Sequence, residues 1–159
     1  MRSSHENPYR APASAEVETQ HPPLTNTELQ ERASEIVGQS TTDGIWFQTK
    51  SLLSTVGLIA AYKLIFPGRK TQAEELFGYC GPVYCTKTGS EIIFIASSQQ
   101  SGTRQLTNVI LSRSTTALVA CDCNHNMTKV KFKFESGECF DLYFFGNTHK
   151  LKNFVHNVF

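Results

Sequence analysis

The chain of 159 residues balances 15 Lys and Arg against 14 Asp and Glu, for a formal net charge of +1. That balance excludes a global field able to hold it on nucleic acid or an anionic membrane, and the length suffices for one domain with one core. No apolar run of secretory-signal length opens the chain, and Cys80, Cys85, Cys121, Cys123 and Cys139 form an odd set without framework spacing, so free thiols and a cytoplasmic location are expected.

Residues 1–23 contain four of the six prolines and no apolar periodicity; too little apolar surface is available there to offset the entropy of ordering, which predicts a disordered tail. Within it, Asn7-Pro8-Tyr9-Arg10-Ala11-Pro12 resembles an N-terminal element of small bacterial membrane-associated proteins. An N-terminal helix and an apolar segment are expected over 24–70, and a β module with a C-terminal helix over 71–159. Thr25 and Glu28 stand at capping-box spacing, with Leu24 and Leu29 as the staple around them. Leu29, Ala33, Ile36 and Val37 share one helical face and Gly38 is placed as a left-handed stop, so the spacing predicts a helix over 26–37.

Residues 45–66 are apolar but interrupted by Gln48, Lys50, Ser51, Ser54, Thr55 and Lys63. The stretch before Lys63, residues 52–62, supplies eleven residues, against about 20 for a membrane-spanning helix. A buried helix on the spacing Leu52, Val56, Ile59 and a strand on the alternation Val56, Leu58, Ala60, Tyr62, Leu64, Phe66 both fit. The alternative is a membrane-associated helix over 52–66, with Lys63, Arg69 and Lys70 on the cytoplasmic side. Pro67-Gly68 ends the segment in every case.

A helical turn is expected over 71–77, then an antiparallel meander with strands over 83–86, 91–97, 106–112, 115–121, 128–134 and 138–145. In the last hairpin Lys129, Lys131 and Lys133 alternate with Val130, Phe132 and Phe134, giving one basic and one apolar face. A two-residue turn would mix the faces. A three-residue loop over 135–137, with Gly137 left-handed, instead pairs Phe132 with Phe140, Val130 with Leu142 and Lys131 with Asp141. Asn147 is then an N-cap, and Leu151, Phe154, Val155, Val158 and Phe159 form the stripe of a closing helix.

Residues 90–97 and 105–110, the hairpin over 129–145 and the closing helix together resemble the second half of a bacterial pleckstrin-homology-like (PH/GRAM-like) domain, over about residues 86–159. The resemblance implies a mainly β (α+β) fold, a curved antiparallel sheet or partly open barrel closed by a C-terminal helix. It also implies binding of lipids, peptides or partner proteins without shared catalytic residues. The basic cluster of phosphoinositide-binding members is not recognisable in this chain.

Cys80, Cys85, Cys121, Cys123 and His125 include enough ligand types for a tetrahedral zinc ion, but Cys121 and Cys123 are two apart, unlike a zinc knuckle. Small buried thiols without metal or cofactor are expected, and a zinc-stabilised or thiol-dependent protein is the alternative. No spacing pairs Cys80, Cys85 or Cys139 with His149 or His156 as a nucleophile. Phosphate loops, paired carboxylates and serine elbows do not occur, so a non-enzymatic module is expected. The row Lys129, Lys131, Lys133 reads as a solvated face, and no nucleic-acid partner is expected.

A protein or membrane partner is therefore expected, with the module cytoplasmic or at the inner membrane. Alternating strand direction predicts that the polar connections over 98–105 and 122–127 share one end of the sheet, with Arg113-Ser114 and 135–137 at the other. The first pair presents Gln99, Gln100, Arg104, Asn124, His125 and Asn126 as partner-binding residues.

Overall fold

A computed structural model of the chain describes residues 23–50, 70–100, 103–123 and 129–158. The expected tail up to residue 22, the segment over 52–66, Phe159, and Asn124, His125 and Asn126 lie outside the described residues.

Helix α1 (Asn26–Val37) starts on the expected capping box: the Glu28 N–H donates to Thr25 Oγ1, and Glu28 Oε2 accepts from the Thr25 N–H at 2.7 Å. It ends at Gly38, whose φ is 74°. Strand β1 (Ile45–Gln48) follows, then α2 (Gln72–Phe77), which opens on a second capping box formed by Thr71 and Glu74. The remaining strands are β2 (Pro82–Lys87), β3 (Glu91–Gln100), β4 (Thr103–Ser114), β5 (Leu118–Cys123), β6 (Lys129–Phe134) and β7 (Cys139–Tyr143). Helix α3 (Thr148–Val158) closes the chain, with Asn147 Oδ1 accepting from the His149 N–H at 2.8 Å as its N-cap.

The fold is mainly β, as expected: one seven-stranded antiparallel sheet in the order β4-β3-β2-β1-β7-β6-β5. It departs from a simple meander in one respect. β4 and β5, consecutive in sequence, are the two edges and do not pair, because a 3₁₀ turn over Thr115–Ala117 redirects the chain between them. The two halves, β1 to β4 and β5 to β7, are joined instead through β1, which pairs with β2 along its length and with β7 at Gln48↔Tyr143. The sheet thus takes a strand from before residue 71, where the sequence predicts one long apolar segment. Its signal is the alternation in Ile45-Trp46-Phe47-Gln48, which buries Ile45 and Phe47 and leaves Trp46 and Gln48 less covered.

The last hairpin has the expected register, Val130↔Leu142, Lys131↔Asp141 and Phe132↔Phe140, and Gly137 is left-handed at φ 86°. Phe134 N–H donates to Glu138 O and Gly137 N–H to Phe134 O, both at 2.9 Å, closing the three-residue loop. The β3–β4 connection is shorter than expected. Pairing continues through Ser98↔Gln105, Gln99↔Arg104 and Gln100↔Thr103, because backbone ladders can extend past the apolar core on polar residues.

The inner face of the sheet carries the main core. Phe47, Phe94, Phe132 and Phe140 are fully buried there, with the Phe94–Phe132 and Phe132–Phe140 centroids 5.3 and 5.4 Å apart. Helix α3 covers this core with Leu151, Phe154 and Val158, and α2 adds Phe77. On the outer face of β2 to β4, α1 lays Leu29 and Ala33 on Tyr84, Ile93, Ile95 and Leu106. β3 is consequently buried on both faces. No helix among the described residues is long and apolar enough to cross a membrane.

Candidate partner-binding surface

Trp46 is turned to the outer face by its neighbours. Ile45 and Phe47 enter the core, so the residue between them must point the other way. There its ring meets Tyr84 edge-on, centroids 5.1 Å apart. Tyr84 is itself held by burial and by accepting the Gly44 N–H at 3.0 Å on its hydroxyl, and burial pushes its pKa up to about 12. The platform under Trp46 is therefore rigid.

Arg104 extends over that platform. Its guanidinium carbon lies 5.1 Å from the Trp46 ring centroid, a cation–π contact. The residue is exposed, and among the described residues its guanidinium has neither an ion pair nor a hydrogen bond. Gln99 stands directly opposite on β3, so the two side chains rise from the same face of the hairpin arm.

Of the residues predicted to bind a partner, the structure brings Gln99 and Arg104 together. Gln100 pairs with Thr103 through its backbone. Trp46 carries no sequence signal of this role, because it lies in a stretch whose apolar residues fit one long element. The connections expected at the opposite end do meet: Arg113 forms a two-pronged ion pair with Glu138, at 3.1 and 2.8 Å, and Glu135 N–H donates to Ala117 O. That corner ties β4 to the β6–β7 turn.

No family model matches the chain, and no curated protein is significantly similar to it. What the remaining residues can do is read from their geometry alone.

All five cysteines are unpaired. Cys85 and Cys121 are buried in the core, and burial pushes both thiols well up. Cys80 is raised by burial and by its hydrogen bond to Glu74, and Cys123 by burial and Asp122. Thiols so raised are protonated at neutral pH, the opposite of what a nucleophile needs. Among the described residues no group of three or more His, Cys, Asp or Glu is placed to hold a metal ion.

Glu74 is 3% exposed and pairs with Lys50, Nζ to Oε1 3.1 Å, while Thr71 Oγ1 donates to Thr49 O at 3.1 Å. Oε1 receives no aligned hydrogen bond, so the Lys50 contact is first an ion pair. Burial alone would raise the Glu74 carboxyl; the Cys80 thiol, the Thr71 N–H and Lys50 outweigh it and leave the pKa lowered. This cluster ties the end of β1 to the start of α2.

Of two other charged surfaces, the lysine row is largely neutralised by carboxylates and the groove beside α3 keeps two lysines against one aspartate. The lysine row meets Asp141 from Lys129 at 2.8 Å and Asp122 from Lys133 at 3.8 Å. A groove of about 650 Å³ between α3 and the β2–β3 turn mixes Asp43 with Lys87 and Lys150. Lys87 Nζ already donates to Asn157 O there at 3.0 Å.

Proposed function

We propose that this chain is a non-enzymatic binding module of pleckstrin-homology-like architecture that holds a protein partner on the Arg104–Trp46 platform. The observation that carries this reading is a charged, exposed guanidinium without a protein acceptor among the described residues, in cation–π contact with a partly exposed tryptophan. Arg and Trp in this arrangement are the residue types that anchor interfaces. The strand order, with α3 against the inner face, supports the architecture. Five unpaired cysteines support a reducing, cytoplasmic setting.

Charge reversal, Arg104→Glu, should reduce capture of the partner in pull-downs from the source cells by about tenfold or more, while Ser114→Ala and Ser136→Ala leave it unchanged. Unfolding midpoints of all three variants should match the parent. Equal capture by Arg104→Glu and the parent would remove the platform from consideration.

A second reading, membrane attachment through residues 52–66, draws support from the clasp at Thr49–Thr71 and Lys50–Glu74, which brings together the chain ends flanking that apolar segment. Flotation of the full chain with phosphatidylglycerol vesicles, abolished by Leu58→Asp with Ile59→Asp, is the expected result. Flotation of neither form discards the attachment.

A further inference from the structure

We propose that the acceptor taken by Arg104 is a carboxylate, so that the partner offers an acidic peptide segment; this rests on the platform reading above. The Arg104 guanidinium is exposed over Trp46 and has no acceptor among the described residues, so its N–H groups are available to an incoming group. A planar fork of parallel donors matches the two oxygens of a carboxylate.

The charge count favours the same class. Gln99, Thr103, Gln105 and Leu106, the nearest residues in the hairpin arm, are all uncharged. One cation among uncharged neighbours on the arm balances one carboxylate, whereas a phosphomonoester carries a charge of about −1.5 to −2 and three acceptor oxygens and draws on clustered cations. Gln99, opposite Arg104, adds an amide donor on the same face. Trp46 is partly exposed and can add apolar surface for the residue beside the carboxylate.

Trp46 is the single tryptophan of the chain, so its emission reports on this site directly. Fluorescein-labelled hexaglutamate titrated into the full chain at constant ionic strength should give a saturable rise in anisotropy and a matching change in Trp46 emission. Hexaglutamine should give neither. Arg104→Gln should weaken hexaglutamate by about tenfold, and Arg104→Lys, which keeps the charge but loses the fork, by roughly threefold. Unchanged affinity in Arg104→Gln, or equal binding of hexaglutamine, overturns the carboxylate. Arg104-dependent binding of phosphatidylglycerol vesicles without any response to hexaglutamate overturns it in favour of a lipid phosphate. Partner capture that depends on Arg104 in a chain that ignores hexaglutamate would sink only the carboxylate assignment; capture indifferent to Arg104 would sink the platform as well.

Discussion

A Cβ at Gly44 would stand 2.5 Å from the carbonyl oxygen of Cys85 and 2.6 Å from the Tyr84 ring. Backbone on one side and a buried ring on the other leave it nowhere to go, so Gly44→Ala is expected to destabilise by about 1 to 3 kcal/mol. At Gly137 nothing lies within 4 Å of the same atom, but φ is 86°. Gly137→Ala should therefore lose about 1 kcal/mol through backbone conformation alone. Urea unfolding of both variants checks the pair, and Gly44→Ala should also disturb Trp46 emission through Tyr84 while Gly137→Ala does not.

Glu74 is the residue whose titration stability should follow. Its pKa in the fold lies below the ordinary 4.5, so its contribution is present above that value and is lost as the pH falls through the lowered one. Lys50, raised above 10.5 chiefly by the same carboxylate, contributes below its unfolded value and loses that contribution only as the solution becomes strongly alkaline. Between the two windows the pair is fully formed. Glu74→Gln is expected to cost about 1 to 3 kcal/mol at neutral pH and to flatten the loss of stability below pH 5. An acid limb as steep as the parent's would place the titrating group elsewhere.

Among the elements, β1 has the largest role for its size. Its four residues contribute Phe47, whose ring lies 5.9 Å from Phe132, 6.1 Å from Phe144 and 6.0 Å from Phe154, and so connects β6, the end of β7 and α3. Phe47→Ala should destabilise by about 3 to 5 kcal/mol with a single unfolding transition by Trp46 emission and far-UV circular dichroism together. Separate transitions by the two probes would mean that the halves of the sheet fold independently. The β6–β7 hairpin shows the opposite dependence, since its register follows from alternation and one glycine. The polar ends of β3 and β4 could not be recognised this way. Ser98, Gln99 and Arg104 carry loop composition, and only their pairing partners make them strand.

At the scale of the whole molecule, local chemistry determined the caps of α1 and α3, the strands from β2 to β7 to within a few residues, and the register of the final hairpin. Each depends on side chains near one another in sequence, where helical spacing, alternation and capping leave a direct imprint. The tertiary structure decided which edges meet. That β1 lies at the centre and that β4 and β5 stay apart are properties of long-range pairing, for which four residues of alternation inside a long apolar stretch carry too little local signal. The candidate site divides in the same way. Arg104 and Gln99 stood out as polar residues of one connection. Trp46, 58 residues earlier in the chain than Arg104, joins them only because long-range pairing sets β1 in the same sheet as β4 and Arg104 reaches over its ring.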